Sequence, residues 1–339
     1  MLFARNLEVM TRSGMQVLDS LEILKKQSSS RAFNKMIDVL IVDIRNGHYL
    51  STGLEKYQST FGDFFINLIR VGETSGTLSE NLKYLADELK KKDELNKKIK
   101  GAMIYPMIIL TATLGITGIL IFFIFPKILP VLKSINVPLP ALTIGFIAIS
   151  DFLFKYGLYA LGGLAIFIIL MVLSLRIRLV RLAWHKLILV TPVVKRMSQN
   201  INMINLARTL GLLLRSGVKI IEALQISGNT LSNLVYKNQI TEITEGVRRG
   251  ESLSKYLTTN PHLFPPIFSQ MILVGENTGK LDESLLFLSN FYESELDEST
   301  KTMSNVLEPV LLLAMGIIVG TICVAIITPI YKITQTLGR

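Results

Sequence analysis

The chain has 339 residues, enough for two or three domains; half are hydrophobic and only 18% are charged. Mean hydropathy is +0.45, too apolar for an ordinary soluble protein, so membrane spans are expected. The net charge of +10 comes without a basic groove interleaved with aromatic or glycine-rich elements, which argues against a nucleic-acid partner, and the single cysteine, Cys323, excludes an intrachain disulfide or a cysteine zinc site.

The first stretch, MLFARNLEVMTRSG, has no long apolar core, so no cleavable signal peptide is expected and insertion must rest on internal segments. Apolar residues at Leu7, Met10, Val17, Leu18, Leu21 and Leu24, then at Phe33, Met36, Ile37, Leu40 and Ile44, keep helical spacing through 3–45. Gly14 and the serines 28–30 divide this stretch, and Asn46-Gly47 closes it. Short helices are expected near 50–57 and 61–71. Gly72 and Gly76 then bracket a tight turn, and Leu78, Leu82, Leu85 and Leu89 share one face of a long helix. Residues 1–103 thus read as an antiparallel helical bundle with short connections.

The last helix of that bundle turns basic at Lys90, Lys91, Lys92, Lys97, Lys98 and Lys100 before the apolar run 104–125. At 1.5 Å per residue this run spans about 33 Å, the thickness of a hydrocarbon core. Residues 126–140, PKILPVLKSINVPLP, read as an external loop. Residues 141–175 are too long for one span: 141–154 is expected to be an interfacial helix, with Asp151 and Lys155 paired one turn apart, and 156–175 the second span. Tyr156 and Tyr159 suit the headgroup region. A basic cytoplasmic linker, 176–197, follows.

From about 198 to 303 the chain repeats its first bundle. VGETSGTLSE at 71–80 returns as VGENTGKLDE at 274–283, a shift of 203, and the register holds without insertion at Arg12-Ser13-Gly14 and Arg215-Ser216-Gly217, Gly47 and Gly250, Pro106 and Pro309, and Pro126 and Pro329. A third apolar span is expected within 306–330. The last helix of the second bundle carries Asp282, Glu283, Glu293, Glu295, Asp297 and Glu298 where the first has lysines, and this acidic face is the best sequence candidate for a partner surface. The fold class expected is therefore an all-α membrane protein of two duplicated cytoplasmic helical bundles and three transmembrane helices. Lys and Arg cluster before the first span and after the second, which puts the N-terminus and both bundles in the cytoplasm and the C-terminus outside.

No constellation points to catalysis. GENTGKL at 275–281 resembles a phosphate loop, but has three residues between its glycines instead of four, and Leu281 follows Lys280 where Ser or Thr is required. His48, His185 and His262 are scattered and read as surface or helix-end residues, so no metal or cofactor is expected. Glu73 and Glu276 are the repeated carboxylates of the tight turn; the reading favoured is that each caps or salt-bridges the helix that starts after it. Gly72, Gly76, Gly275 and Gly279 are expected to serve turn geometry closed to other residues.

The paired VGE-x-[ST]-G-x-L motifs, the RSG turn of each bundle, the LEP before the last span and the PLP before the second resemble the type II secretion F family, the inner-membrane platform proteins of type IV pili and type II secretion systems. The resemblance covers nearly the whole chain, although family members usually carry a further region before the first bundle. It implies a non-enzymatic role in the inner membrane, coupling a cytoplasmic assembly ATPase to the insertion of pilin or pseudopilin subunits into a filament. It also implies other inner-membrane assembly components and further copies of the chain as partners, beside the membrane lipids. Gly72, Glu73, Gly76, Gly275, Glu276 and Gly279 fall on family motif positions, and the acidic face becomes the candidate ATPase-docking surface. The alternatives are a transporter built from duplicated units, against which each repeat contributes only one span, and a membrane scaffold unrelated to filaments.

Overall fold

The computed structural model describes residues 2–124, 126–127, 130 and 141–337. It is helical wherever it has regular structure, and no strand occurs among the described residues. Helices α1 (Leu2–Arg12), α2 (Val17–Gln27), α3 (Arg31–Arg45), α4 (Leu50–Glu55), α5 (Gln58–Ser75) and α6 (Leu78–Ile119) are followed by a π-helical turn, Leu120–Ile124. Then come α7 (Ala141–Ser174), α8 (Arg178–Ile188), α9 (Pro192–Arg215), α10 (Ile220–Thr230), α11 (Leu234–Arg248), α12 (Leu253–Thr259), α13 (Pro266–Thr278) and α14 (Leu281–Leu337).

The 203-residue shift is written into these boundaries. Helices α2 and α10, and α3 and α11, begin and end at equivalent positions; α5 and α13 end together, and α6 and α14 start together. The breaks between them fall on glycines with left-handed backbone at the same register, Gly14 and Gly217, Gly47 and Gly250, and Gly76 and Gly279. These positions have φ between 70 and 88°, which an L side chain adopts only with strain. Within α5, Gly62 (φ 77°) breaks the helix where the second repeat has Pro265 ahead of α13.

The chain divides into two compact units. The first joins Met1–Lys97 with Leu182–Ser299 and holds both repeats. Each repeat packs its helices in sequence, α1 on α2, α2 on α3, α3 on α4 and α4 on α5, with α9 to α13 following the same path. Their cores match position for position: Leu7 and Leu210, Ile37 and Ile240, and Ile69 and Ile272 are all buried. The aromatic cluster repeats as well, Phe33, Phe61 and Phe65 in the first bundle answering Tyr236, Phe264 and Phe268 in the second.

The expected linker 176–197 is largely helical. Helix α8 caps α11, since Nδ1 of His185 accepts the Leu234 N–H at 2.9 Å beside Asn233, whose side chain accepts from Val235 N–H. Leu182 and Trp184 in that stretch keep helical spacing with its arginines, so the basic residues do not mark a loop.

The second unit joins Lys98–Arg181 with Thr300–Arg339. Among the described residues, Met107–Ile124 is the stretch long and apolar enough to cross a membrane, and Leu312–Thr321 is a shorter apolar segment. The stretch expected to hold an interfacial helix, 141–154, and a span, 156–175, is one helix, α7, unbroken from Ala141 to Ser174, with no proline to interrupt it. The expected Asp151–Lys155 pair does not form among the described contacts; the Lys155 ammonium lies over the Tyr156 ring, 5.5 Å from its centre. The expected external loop 126–140 lies outside the described residues apart from 126–127 and 130.

Candidate functional site

The repeated turn motif resolves into three separate jobs. Gly72 and Gly275 lie inside helices and are buried, with no unusual φ. A Cβ on Gly72 would stand 2.8 Å from Leu78 Cα, and one on Gly275 2.9 Å from Leu281 Cα and 2.8 Å from Ser284 Oγ. They are glycines because the next helix crosses against their backbone. Gly76 and Gly279 are the left-handed residues that end α5 and α13. The glycine pairs that looked alike in the sequence therefore answer different constraints, and only the second of each pair serves turn geometry.

Glu73 and Glu276 do cap helices, but not the helices that follow them. The Leu50 and Ser51 N–H groups at the start of α4 donate to the two Glu73 oxygens at 2.5 and 3.0 Å. The Leu253 and Ser254 N–H groups at the start of α12 donate to Glu276 at 2.6 and 3.0 Å. Neither α4 nor α12 has a capping side chain of its own at the preceding residue. The carboxylate borrowed from a neighbouring helix satisfies N–H groups that would otherwise be orphaned, and its charge sits at the positive end of the helix. Helical periodicity shows which face a residue occupies, and carries no sign of a partner 23 residues earlier.

The phosphate-loop lookalike is the C-terminal turn of α13. The Gly279 and Lys280 N–H groups both donate to the Gly275 carbonyl, so neither is left to face an anion. Among the described residues no group of three or more His, Cys, Asp or Glu side chains is gathered in metal-binding geometry.

The acidic residues of α14 divide in two. Three are engaged within the bundle: Asp282 with Arg215 at 3.3 Å, Glu283 with Lys280 at 3.5 Å, and Glu293 with Arg208 at 2.6 Å. Asp297 is half-buried, while Glu295 and Glu298 are exposed, as is Glu283 despite its pairing.

The junction of the two repeats was not legible in the sequence. Arg208, almost wholly buried in α9, reaches Glu88 of α6 at 3.3 Å as well as Glu293 of α14. Lys91 adds a contact to Glu293 at 3.8 Å and donates to Asn290 at 3.2 Å. Further along the same seam, the buried Asn81 side chain donates to the Leu68 carbonyl at 3.0 Å and accepts from the Ser216 hydroxyl at 3.1 Å. Burial pushes the Glu88 carboxyl up to about 7 from 4.5; this outweighs Arg208, which Glu88 shares with Glu293, and the smaller pull of Lys91 and Lys92. Beside Glu88 opens a cavity of about 570 Å³ lined by Asp63, Phe64, Lys92, Asn205 and Asn229. Two signals could have revealed the junction: Arg208 stands among Leu206, Ala207 and Leu210, and Glu88 follows Leu85 by three residues on the apolar side of its helix.

A sequence profile of the family described as "Type II secretion system (T2SS), protein F" matches the chain twice, at residues 3–126 and 206–329. The type IV pilus assembly protein PilC of Thermus thermophilus is 33% identical over 99% of this chain and 83% of its own length. The type II secretion system protein F of Pseudomonas aeruginosa is 30% identical over 99% of this chain and 83% of its own length. PilC of Pseudomonas aeruginosa is 28% identical over 99% and 90% respectively.

Proposed function

We propose, because the chain belongs to the type II secretion system protein F family, that it is the inner-membrane platform of a type IV pilus or of a type II secretion pseudopilus. In this role it couples a cytoplasmic assembly ATPase to the insertion of pilin or pseudopilin subunits, and is not itself an enzyme. The observation that carries the reading is the double family match, one per bundle and 203 residues apart, in a chain whose relatives are named for both machines.

The layout proposed is two cytoplasmic bundles and three spans, 104–125, 156–175 and 306–330, with the C-terminus outside. Two support it: Met107–Ile124 for the first span, and the apolar segment Leu312–Thr321 for the third. Each bundle's last helix leads in sequence into an apolar stretch, and a third apolar stretch between the repeats would let both face the same side.

The ATPase-docking surface is assigned to the outward acids Glu283 and Glu298 of α14, since Asp282 and Glu293 already hold the bundle together. Charges at such a rim set encounter and register, each contributing modestly, so both must be changed together. Cross-linking in membranes followed by pull-down tests this. The chain should recover the ATPase, and the combined Glu283→Lys, Glu298→Lys variant should lose most of it while still inserting. Full recovery by that variant moves the docking surface elsewhere.

A further inference from the structure

The contact between the two repeats is not symmetric. Repeat two presents α9, α10 and the side of α14 that carries Asn290 and Glu293; repeat one presents α5 and α6. Three pairs mark it: Arg208 with Glu88, Ser216 with Asn81, and Asn229 with Asp63 at 3.3 Å. Each repeat carries the same helices, so each carries both faces. The contact uses only one face of each repeat. The equivalents left over are α1 and α2 in repeat one, the counterparts of α9 and α10, and in repeat two α13 with the Phe287 side of α14, the counterparts of α5 and α6.

Those leftover faces carry exposed apolar side chains at positions the junction covers. Leu212 is 7% exposed on α9, and its counterpart Val9 on α1 is 45% exposed. Arg208 is buried and Arg5 is exposed; Asn205 is half-buried, and its counterpart Leu2 is 69% exposed. On the other face, Val71 and Tyr84 are half-buried in repeat one, while their counterparts Val274 and Phe287 are 51% and 54% exposed. Val274 shares its helix face with Ile267, seven residues earlier and also exposed. A lone exposed valine is ordinary. Apolar side chains left open at the register positions that a sister repeat covers are not. The charges also complement each other, with Arg5 and Lys26 on the first face and Glu295 on the second.

We propose that the chain binds a second copy of itself head to tail, the α1–α2 face of one copy docking on the α13–α14 face of the next in the arrangement of the internal junction, with apolar contacts in place of its buried charge pair, since the counterpart of Glu88 is Phe291. A contact of this kind joins two different surfaces, so it propagates from copy to copy into a ring or a row rather than stopping at a symmetric pair. Family resemblance implies self-association without naming a surface; the geometry supplies one.

The internal pair Asn229–Asp63 gives the test, because its counterparts are Lys26 and Pro266, both exposed. Full-length chains carrying Cys323→Ser and either Lys26→Cys or Pro266→Cys, with different tags, are co-expressed and oxidised in membranes. A disulfide-linked heterodimer is expected from the mixture, with at least tenfold less homodimer from either variant alone. Adding Val9→Asp to the Lys26→Cys chain, or Phe287→Asp to the Pro266→Cys chain, should each lower the yield severalfold. Val42→Asp, an exposed apolar site on neither face, should not. No heterodimer from the mixture overturns the proposal. Homodimer at equal yield from a single variant overturns it too, since that indicates symmetric pairing.

Discussion

The Nε of Arg208 lies 3.3 Å from a carboxylate oxygen of Glu88, although the two residues stand on helices of different repeats. Arg208 is divided between Glu88 and Glu293, so the last helices of both bundles close on one guanidinium. A buried pair of this sort fixes geometry more than it adds stability, because the desolvation of both charges offsets much of their attraction.

The Glu88 carboxyl has a value near 7 in the folded chain against 4.5 when free. Between those values the folded chain holds a proton that the unfolded chain has released, so stability from this group is full below 4.5 and is lost as pH rises through 7. The difference in stability between the wild-type chain and Glu88→Gln should therefore move in favour of the variant from pH 5 to pH 8, by about 3 kcal/mol at the outside. Thermal unfolding of both purified chains across that range checks it, and a constant difference would place the ionised carboxylate at the junction throughout.

The paired glycines of each turn should fail in different ways. Gly275→Ala sets a methyl against the Leu281 backbone and should destabilise by about 1–3 kcal/mol. Gly279→Ala has open space but a left-handed backbone, for a loss of about 1–2 kcal/mol. Asn tolerates that backbone, so Gly279→Asn should recover most of the stability, whereas Gly275→Asn should be worse than Gly275→Ala. Melting temperatures of the four variants decide the assignment; rescue by Asn at 275 would refute it.

Glu276→Ala leaves the Leu253 and Ser254 N–H groups without their acceptor and should lower stability by about 1–2 kcal/mol. Glu276→Gln keeps one acceptor oxygen and should lose less. Glu73→Ala should behave alike, and the two changes should add, since they sit in separate repeats. If these glutamates served only for docking, melting would not change.

What the sequence disclosed and what it hid follow one division. Local signals were readable: Gly14, Gly47 and Gly76 end helices where expected, and the leucines at 78, 82, 85 and 89 mark the face they bury. Tertiary partners were not. Glu73 acts on Leu50 through space, Arg208 is buried only because a second repeat packs over it, and Glu293 looked like one more surface acid until Arg208 was placed beside it. The division of 141–175 rested on its length, and length does not say whether a helix breaks: α7 runs unbroken from Ala141 to Ser174.

Membrane orientation is testable with single cysteines in a chain lacking Cys323. Positions 134 and 338, Ser134 and Gly338, should react with an impermeant reagent applied to intact cells with a permeabilised outer layer, and Ser29 and Ser232 should not. The expectation rests on the lysines before the first span and the arginines after the second. Labelling at Ser232 would reverse the orientation.

The platform role itself is tested most directly by removing the gene from its host and measuring assembled filaments together with proteins released through the type II route. One of the two should disappear while its pilin or pseudopilin is still made and inserted, and the intact chain supplied in trans should restore it. Normal filament assembly and normal secretion in the deletion strain would contradict the account.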